Sequence, residues 1–520
     1  MMSKKIKKYI SVTVFSITIL SLLAGCSSSK KTDGSLATGV PTTTKISAMS
    51  ILMSAQPPRI EGNTILNKIK ETTNVDLDVS FVPSGSYKEK FNVTLASNSL
   101  PMATVVDAGM LRTTSVLSAI SAGVFWEVGP LLDSYPNLKK FYSDQLVLDN
   151  CKIDGKLYGL PRPRVLGRSG LIIRQDWLDN LGLKVPTTIE EVYNVAKAFT
   201  LNDPDKDGKA NTVGIEYADI SVGSAGWNGI DTLTVAAGGF NQWGLEDGKI
   251  VPSFATKEYV STLGWLKKMY KEKIMNQDFA LVTGTKRADA FDQGKVGMAF
   301  ATLDDAGSNT NETESGARPN LMSAVPTAKI TIAPALSGPS GQKVPATPGH
   351  NGMVMFSKTA VKTEADLKKI LSFYDKMATT EMIDLFTYGV EGVNYKVENG
   401  VKKSIADSKL ADDSYALTML ILRPAQVETA EDKDITKQVN AAFTSNKKFL
   451  VVNPIEALNS ETKNQVGGQL DKIVMDARIK YVMGQIDDAE YNKLVENWRT
   501  QGGDKVIDEL TASYNESIKK

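Results

Sequence analysis

Residues 171–199 read LIIRQDWLDNLGLKVPTTIEEVYNVAKAF, and this one stretch holds two kinds of regular structure. Leu171–Arg174 is a short apolar run that reads as a strand, after which Trp177 and Leu178 open a helix. Thr188-Ile189-Glu190-Glu191 is then a capping box, Thr188 and Glu191 satisfying free N–H groups reciprocally. Ile189, Val192, Val195, Ala196 and Phe199 fall along one face of the helix that follows. Working outward, the same alternation recurs. Strands are predicted at Ile46–Met53, Val75–Val82, Ala103–Val106, Val296–Phe300, Ile330–Ala333 and Met353–Phe356. A second helix opens at Thr363–Asp366 with Leu367, Ile370, Leu371 and Tyr374 as its stripe. From about Gln469 the chain reads as helices carrying Ile473, Tyr481, Tyr491, Leu494 and Trp498. Strands alternating with amphipathic helices give an α/β fold of mainly parallel sheets with helices on their faces. Two stretches read as irregular, polar Ser308–Asn320 and the Pro- and Gly-rich Leu336–Asn351, the second a candidate crossing between lobes.

The chain has 520 residues, 60 Lys+Arg against 59 Asp+Glu, and 42% hydrophobic residues. That balance belongs to a folded protein. A prior of about 150 residues per domain gives two to four domains. No long low-complexity linker interrupts the middle, which favours two large lobes. Near-zero net charge argues against nucleic acid as a partner. One His, His350, and two Cys, Cys26 and Cys151, leave too few ligands for most metal and thiol chemistry built on their clusters. No Gly-x-Ser-x-Gly, phosphate-cradling loop or dinucleotide fingerprint occurs, so the sequence carries no catalytic constellation. A pair of carboxylates acting as a glycosidase stays open.

Lys4, Lys5, Lys7 and Lys8 precede an uncharged run from Ile10 to Leu23. It is too short to span a bilayer and has the form of a signal peptide over residues 1–25. The run ends in Leu23-Ala24-Gly25-Cys26, which resembles a lipobox, in which the Cys is diacylated and becomes the new N-terminus. Removing residues 1–25 takes away four Lys and no acid, moving the net charge from +1 to −3. Residues 26–44, rich in Ser, Thr, Lys and Gly, read as a flexible tether behind the lipid. Cys151 then has no disulfide partner and reads as a small buried hydrophobe.

The most specific internal motif is Asp203-Pro204-Asp205-Lys206-Asp207-Gly208-Lys209-Ala210-Asn211-Thr212. Carboxylates at positions 1, 3 and 5, Gly at 6 and a carbonyl at 7 suit an EF-hand-type Ca²⁺ loop. Position 12 is Gly214 instead of a bidentate Glu, leaving Asn211 and Thr212 or Glu216 to complete the shell. Such a loop is a structural clip. Trp227 and Trp243 sit in Gly-rich or polar surroundings where no apolar stripe requires them, so they suit stacking on sugar rings as well as local packing. Trp265 and Trp177 lie on helical stripes and read as core.

Several phrases in consistent order resemble the family 1 extracellular solute-binding lipoproteins of carbohydrate ABC importers, in the Gram-positive branch similar to alginate-oligosaccharide-binding proteins. They are Lys152–Pro161, Arg174–Asp179 running to Leu181–Thr188, the Asp203 loop, Trp243 to Gly248-Lys249-Ile250, Phe291–Met298 and Tyr388–Tyr395. The resemblance implies a two-lobed periplasmic-binding-protein-like (type II) α/β fold with hinge crossovers. Lobe one maps to 45–162 and 336–392, lobe two to 165–335 and 393–520. It implies structural Ca²⁺ held by Asp203, Asp205, Asp207, Lys209 (carbonyl), Asn211 and Thr212. A cleft would use Asp107, Arg162, Arg164, Trp227, Trp243, Asn351, Glu391 and Tyr395. The implied function is capture of an oligosaccharide by a monomer, lipid-anchored at the extracellular face through Cys26, and delivery to ABC transporter permease subunits. The same fold binding a peptide or other small solute, and a surface glycosidase, are the rival readings.

Overall fold

The computed structural model describes residues 43–54, 56–218, 229–282, 289–306 and 319–518. The leader, Cys26, most of the tether, Trp227 and most of the predicted 308–320 loop lie outside the described residues. Thr43–Lys520 is one compact unit. Its main strands are β1 (Thr44–Leu52), β2 (Val75–Pro83), β3 (Ala103–Val106), β4 (Gly159–Pro163), β5 (Ser169–Arg174), β6 (Val213–Glu216), β7 (Val296–Thr302), β8 (Ile330–Ala333) and β9 (His350–Phe356).

Two sheets result. The first has order β2-β1-β3-β9-β4, with β1 parallel to β2 and β3 and β9 antiparallel to β3 and β4. The second has order β8-β5-β7-β6, antiparallel except for the β6 and β7 pair. Each sheet carries its own core. Ile65, Phe91, Leu371 and Tyr374 from flanking helices join Ile46, Val105 and Met355 in the first. In the second, Leu171 and Ile173 of β5 pack with Trp177, Phe199 and the C-terminal helices. Ile172 points to the opposite face, into a further apolar cluster with Val439 and Phe443. The period-2 alternation therefore buries β5 on both faces, which is why residues 171–173 are uniformly apolar.

All seven predicted strands are present, and β4 and β6 are additional. β4 contains Pro161 and Pro163, and it lies at a sheet edge, where a strand can lack an N–H without losing a ladder bond. Gly159 is needed there because a Cβ would lie 2.5 Å from the Val354 carbonyl. The capping box differs in one bond. Thr188 Oγ1 accepts from the Glu191 N–H as expected, at 3.1 Å, but the Glu191 carboxylate takes the N–H and hydroxyl of Thr187 (2.7 and 2.8 Å).

The expected lobe limits also shift. Leu336–Gly338 and Gly341–Pro345 form a hairpin that pairs with Leu450–Val451, and Leu336 packs in the second core. Only 346–349 remain as a connection to β9. Conversely Leu417, Leu420, Ile421 and Leu422 belong to the first core, so 393–520 is divided between the two. The buried Asp413 anchors this segment to the first core, accepting from Arg59 Nε (2.7 Å) and the Thr64 N–H (3.2 Å).

Candidate ligand-binding site

The chain passes between the cores side by side with itself. Leaving β4, Arg164 donates its N–H to the Gly349 carbonyl (2.8 Å). The Thr347 N–H bonds Leu166 O and its hydroxyl bonds Val165 O, both at 2.8 Å. A third segment, 419–427, runs beside them, with Arg162 Nη2 3.1 Å from Met419 Sδ. Beyond it the helix Asp434–Asn446 comes close enough that Asn446 Nδ2 donates to Gly167 O at 2.8 Å.

Two cavities open around these passages. The first, about 450 Å³, is lined by Arg162, Arg164, Arg168, Asp304, Arg423 and apolar groups including Met419 and Phe443. Arg162 is 3% exposed and donates to the Asn351 carbonyl at 2.7 Å. Arg168 pairs with Asp304 at 2.8 Å. Burial, and then the neighbouring Arg162 and Arg168, push the Arg164 pKa down to about 10, and burial lowers that of Arg423. The second cavity, about 830 Å³, lies between 108–114 and 453–471, with Arg112, His350, Trp243, Glu456 and Asp471 on its walls. Arg112 donates to the Asn150 and Lys152 carbonyls (3.1 and 2.9 Å). Burial, then the Arg112 charge, push the His350 pKa down to about 4. Its Nδ1 accepts from the Gly352 N–H at 3.1 Å, as a neutral imidazole can.

Of the predicted cleft residues, Arg162 and Arg164 line the first cavity and Trp243 the second. Asn351 contributes its backbone carbonyl to Arg162. Asp107 caps the short helix after β3 through the Gly109 N–H (3.0 Å), and its charge acts on Arg162. Trp243 is 7% exposed and packs on Trp498, ring centroids 6.3 Å apart, so it is a core residue with a face on the cavity. Glu391 and Tyr395 are not with these. They line a separate pocket of about 370 Å³ beside Lys402 and Asp384, walled only by residues 68–72 and 381–402. Arg168, Asp304 and Arg423 were not anticipated. Arg423 had one signal: Arg423-Pro424 repeats Arg162-Pro163, and a residue before Pro is held extended, as a chain crossing requires.

The Asp203 loop is built as a cation site would be. Oxygens of Asp203, Asp205 and Asp207 lie within 4.8 Å of one another, and Gly208 takes φ +80°. Asp203 accepts from the Asp207 and Gly208 N–H groups (3.2 and 3.1 Å), and Asp207 from Asn211 Nδ2 (2.9 Å) and the Lys209 N–H (2.7 Å). Asp205 Oδ1 is buried with no hydrogen-bond partner, an orphan acceptor that a cation would satisfy. Thr212 stands apart, buried and donating to the Phe199 carbonyl at 2.8 Å.

Residues 57–382 match the model of the bacterial extracellular solute-binding protein family. The chain belongs to that family. The polygalacturonan/rhamnogalacturonan-binding protein YtcQ of Bacillus subtilis (strain 168) is 35% identical over 505 residues, covering 95% of this chain and 96% of that one. Lipoprotein LipO of the same organism is 35% identical over 506 residues with the same coverage. Among solved structures, an HMO-binding solute-binding protein of Bifidobacterium longum infantis aligns with TM-score 0.70 and 17% identity, over 91% of this chain and 99% of that one. An EF-hand mutant of the S. pneumoniae substrate-binding protein FusA, in complex with fructo-nystose, aligns with TM-score 0.66, 17% identity and the same coverage. The fold is thus the two-lobed solute-binding one, and one of its relatives in structure carries an EF-hand.

Proposed function

We propose that this chain is a lipid-anchored extracellular substrate-binding protein that captures an oligosaccharide between its lobes and delivers it to an ABC importer. The observation that carries the reading is the pair of cavities walled by both cores at the points where the chain passes between them. Sugar contact with both walls favours the closed arrangement, since a ligand shifts the equilibrium toward the state it binds better. The contacts assigned to the sugar are Arg162, Arg164, Trp243 and the polar groups near Asp107 and Asn351. The saccharides named for YtcQ and FusA support that ligand class. Family membership supports binding over hydrolysis.

Two finer readings accompany this one. Cys26 carries the lipid, a reading supported by its place after Leu23-Ala24-Gly25 and by the lipoprotein relative. Asp203, Asp205, Asp207 and the neighbouring carbonyls hold Ca²⁺, which fixes the helix Ile189–Leu201 to β6. Calorimetry with a panel of neutral and acidic oligosaccharides, alongside small-angle scattering, tests the central claim. Binding with a decrease in radius of gyration is expected. Peptides raising the melting temperature where no saccharide does, or release of shorter sugars from the panel, would overturn it. Cys26→Ala should free the protein from membranes, and unchanged fatty-acid labelling of that variant would refute the anchor.

A further inference from the structure

We infer that Gln242 is a specificity-determining contact of the second cavity, where its side-chain carbonyl, aimed by the buried Asp231, accepts a hydrogen bond from a sugar hydroxyl. The inference rests on the saccharide reading above and adds to it a residue and the group that residue selects. Gln242 lines the cavity beside Trp243. The Trp243 N–H bonds the Asn241 carbonyl across it at 2.7 Å, and Gln242 itself has φ +62°. Together these make a γ-turn of the rare, strained hand. Glycine adopts positive φ without steric cost. A glutamine kept in that conformation on a cavity wall points to a use for its side chain.

The turn is pinned on both sides. Asn241 is 1% exposed, and its Nδ2 donates to the carbonyls of Ala346 and Val451 at 2.8 and 2.9 Å. The first lies on the connection to β9, the second just ahead of the 453–471 wall. The Gln242 main-chain carbonyl accepts from the Ser253 N–H at 2.7 Å. The side chain is fixed as well. Gln242 Nε2 donates to Asp231 Oδ2 at 3.1 Å, and Asp231, in the helix Gly229–Ala236, is 5% exposed. Burial pushes the Asp231 pKa up to about 6, against the Gln242 bond and the Arg478 charge. At neutral pH it is therefore a carboxylate, which only accepts. The amide nitrogen has to face it, so the orientation of the amide is set. Oε1 is left over, and it accepts no hydrogen bond among the described residues. A fixed carbonyl oxygen takes a hydroxyl and gains nothing from a deoxy carbon or another acceptor, so a site built around it rejects a sugar lacking that hydroxyl.

The test titrates the full chain, in detergent, with galactotriose, mannotriose, cellotriose, kestose and trigalacturonate, and then with the monodeoxy derivatives of the tightest binder. One deoxy derivative should bind at least about 10-fold more weakly than its parent. Gln242→Met keeps the length of the side chain and removes the acceptor, and should weaken the parent sugar by roughly 10- to 100-fold. The two losses should not add: the variant should bind that derivative within about 3-fold of wild type. Lost packing would instead weaken every sugar alike. If Gln242→Met does not fold, Gln242→Gly, which suits the turn, carries the same comparison. Asp231→Asn, or Asp231→Ser if that variant does not fold, should weaken the parent by about 3- to 10-fold and make no further difference in Gln242→Met. Wild-type affinity in a folded Gln242 variant, losses that add in full, or equal binding of all deoxy derivatives overturns the contact and leaves the saccharide function standing. Unchanged affinity in the Asp231 variant overturns the aiming. A wild-type chain that binds none of the five sugars overturns both the contact and the saccharide reading.

Discussion

Asp205→Asn should separate two effects that the Asp203 loop combines. Without metal, the three carboxylates crowd within 4.8 Å. The Asp205 pKa is raised by burial, by its hydrogen bond with Asp203 and by the Asp207 charge. The folded chain thus holds a proton that the unfolded chain releases above the ordinary value of 3.8. Metal-free stability accordingly falls as pH rises from there through the folded pKa. At neutral pH, neutralising Asp205 relieves this, so in chelator the variant should melt at or slightly above wild type. Calcium reverses the order. A site of about 10⁻⁴ M affinity, usual for extracellular modules, gives about 1.4 kcal/mol at 1 mM Ca²⁺ and about 2.7 kcal/mol at 10 mM. With an unfolding entropy of about 2.1 cal/mol/K per residue, a cooperative lobe of about 250 residues would gain about 3 °C and about 5 °C. Scanning fluorimetry at the two concentrations and in chelator reads all three values. Equal calcium increments in wild type and Asp205→Asn would refute the assignment of the loop.

Trp243→Ala should cost about 3–5 kcal/mol in urea denaturation, because the ring fills core between Trp498 and its neighbours; a wild-type midpoint would place the indole outside the core. Gly352→Ala should destabilise the first sheet by more than about 2 kcal/mol, since Gly352 has φ +81° and a Cβ there would lie 1.9 Å from the Val106 carbonyl. An unchanged melting temperature would mean that β9 shifts freely against β3. His350 has its pKa pushed down to about 4 by burial and then Arg112, so between that value and 6.5 the unfolded chain binds the extra proton. His350 therefore withdraws about 2–3 kcal/mol of stability as pH falls from 6.5 to 4. His350→Gln should flatten that part of the difference between denaturation curves at pH 7 and pH 4.5, and parallel pH dependence in both proteins would contradict it.

The strands and helices that build the two cores were legible because each obeys a local period. Leu171–Ile173 and Val296–Ala301 are apolar throughout and buried throughout, and Leu367, Ile370, Leu371 and Tyr374 follow the helical stripe into the core. Readings failed where a local rule met a particular place in the sheet. Pro161 and Pro163 argue against a strand everywhere except at an edge, and edge position is a property of the whole sheet order. Likewise Leu336–Asn351 has loop composition, yet Gly338 serves close packing: a Cβ there would lie 1.7 Å from the Ala236 carbonyl. Leu417–Leu422 returned to the first core through Asp413 and Arg59, 354 positions apart in sequence, a partnership that no window of residues can display.

The candidate site was harder to read for the same reason, carried further. The Asp203 loop is contiguous, so its three carboxylates could be read as one cluster from spacing alone. The arginine cavity draws Arg164, Asp304 and Arg423 from three separate passages or strand ends, and each alone resembles an ordinary surface charge. Only convergence makes them unusual, because a guanidinium in water costs nothing while several in one recess cost desolvation and repulsion. Position near a strand end, which Glu391 and Tyr395 have, is found on either side of a lobe. It could not tell the pocket beside Lys402 from the one between the cores. The Arg-Pro pairs at 162–163 and 423–424 do carry that distinction. An extended, donor-poor segment that still bears a cation has little use inside a helix or a central strand; Arg162-Pro163 ends the edge strand β4 and Arg423-Pro424 lies on the 419–427 segment, and both line the same cavity, where a ligand touching the two lobes would meet them.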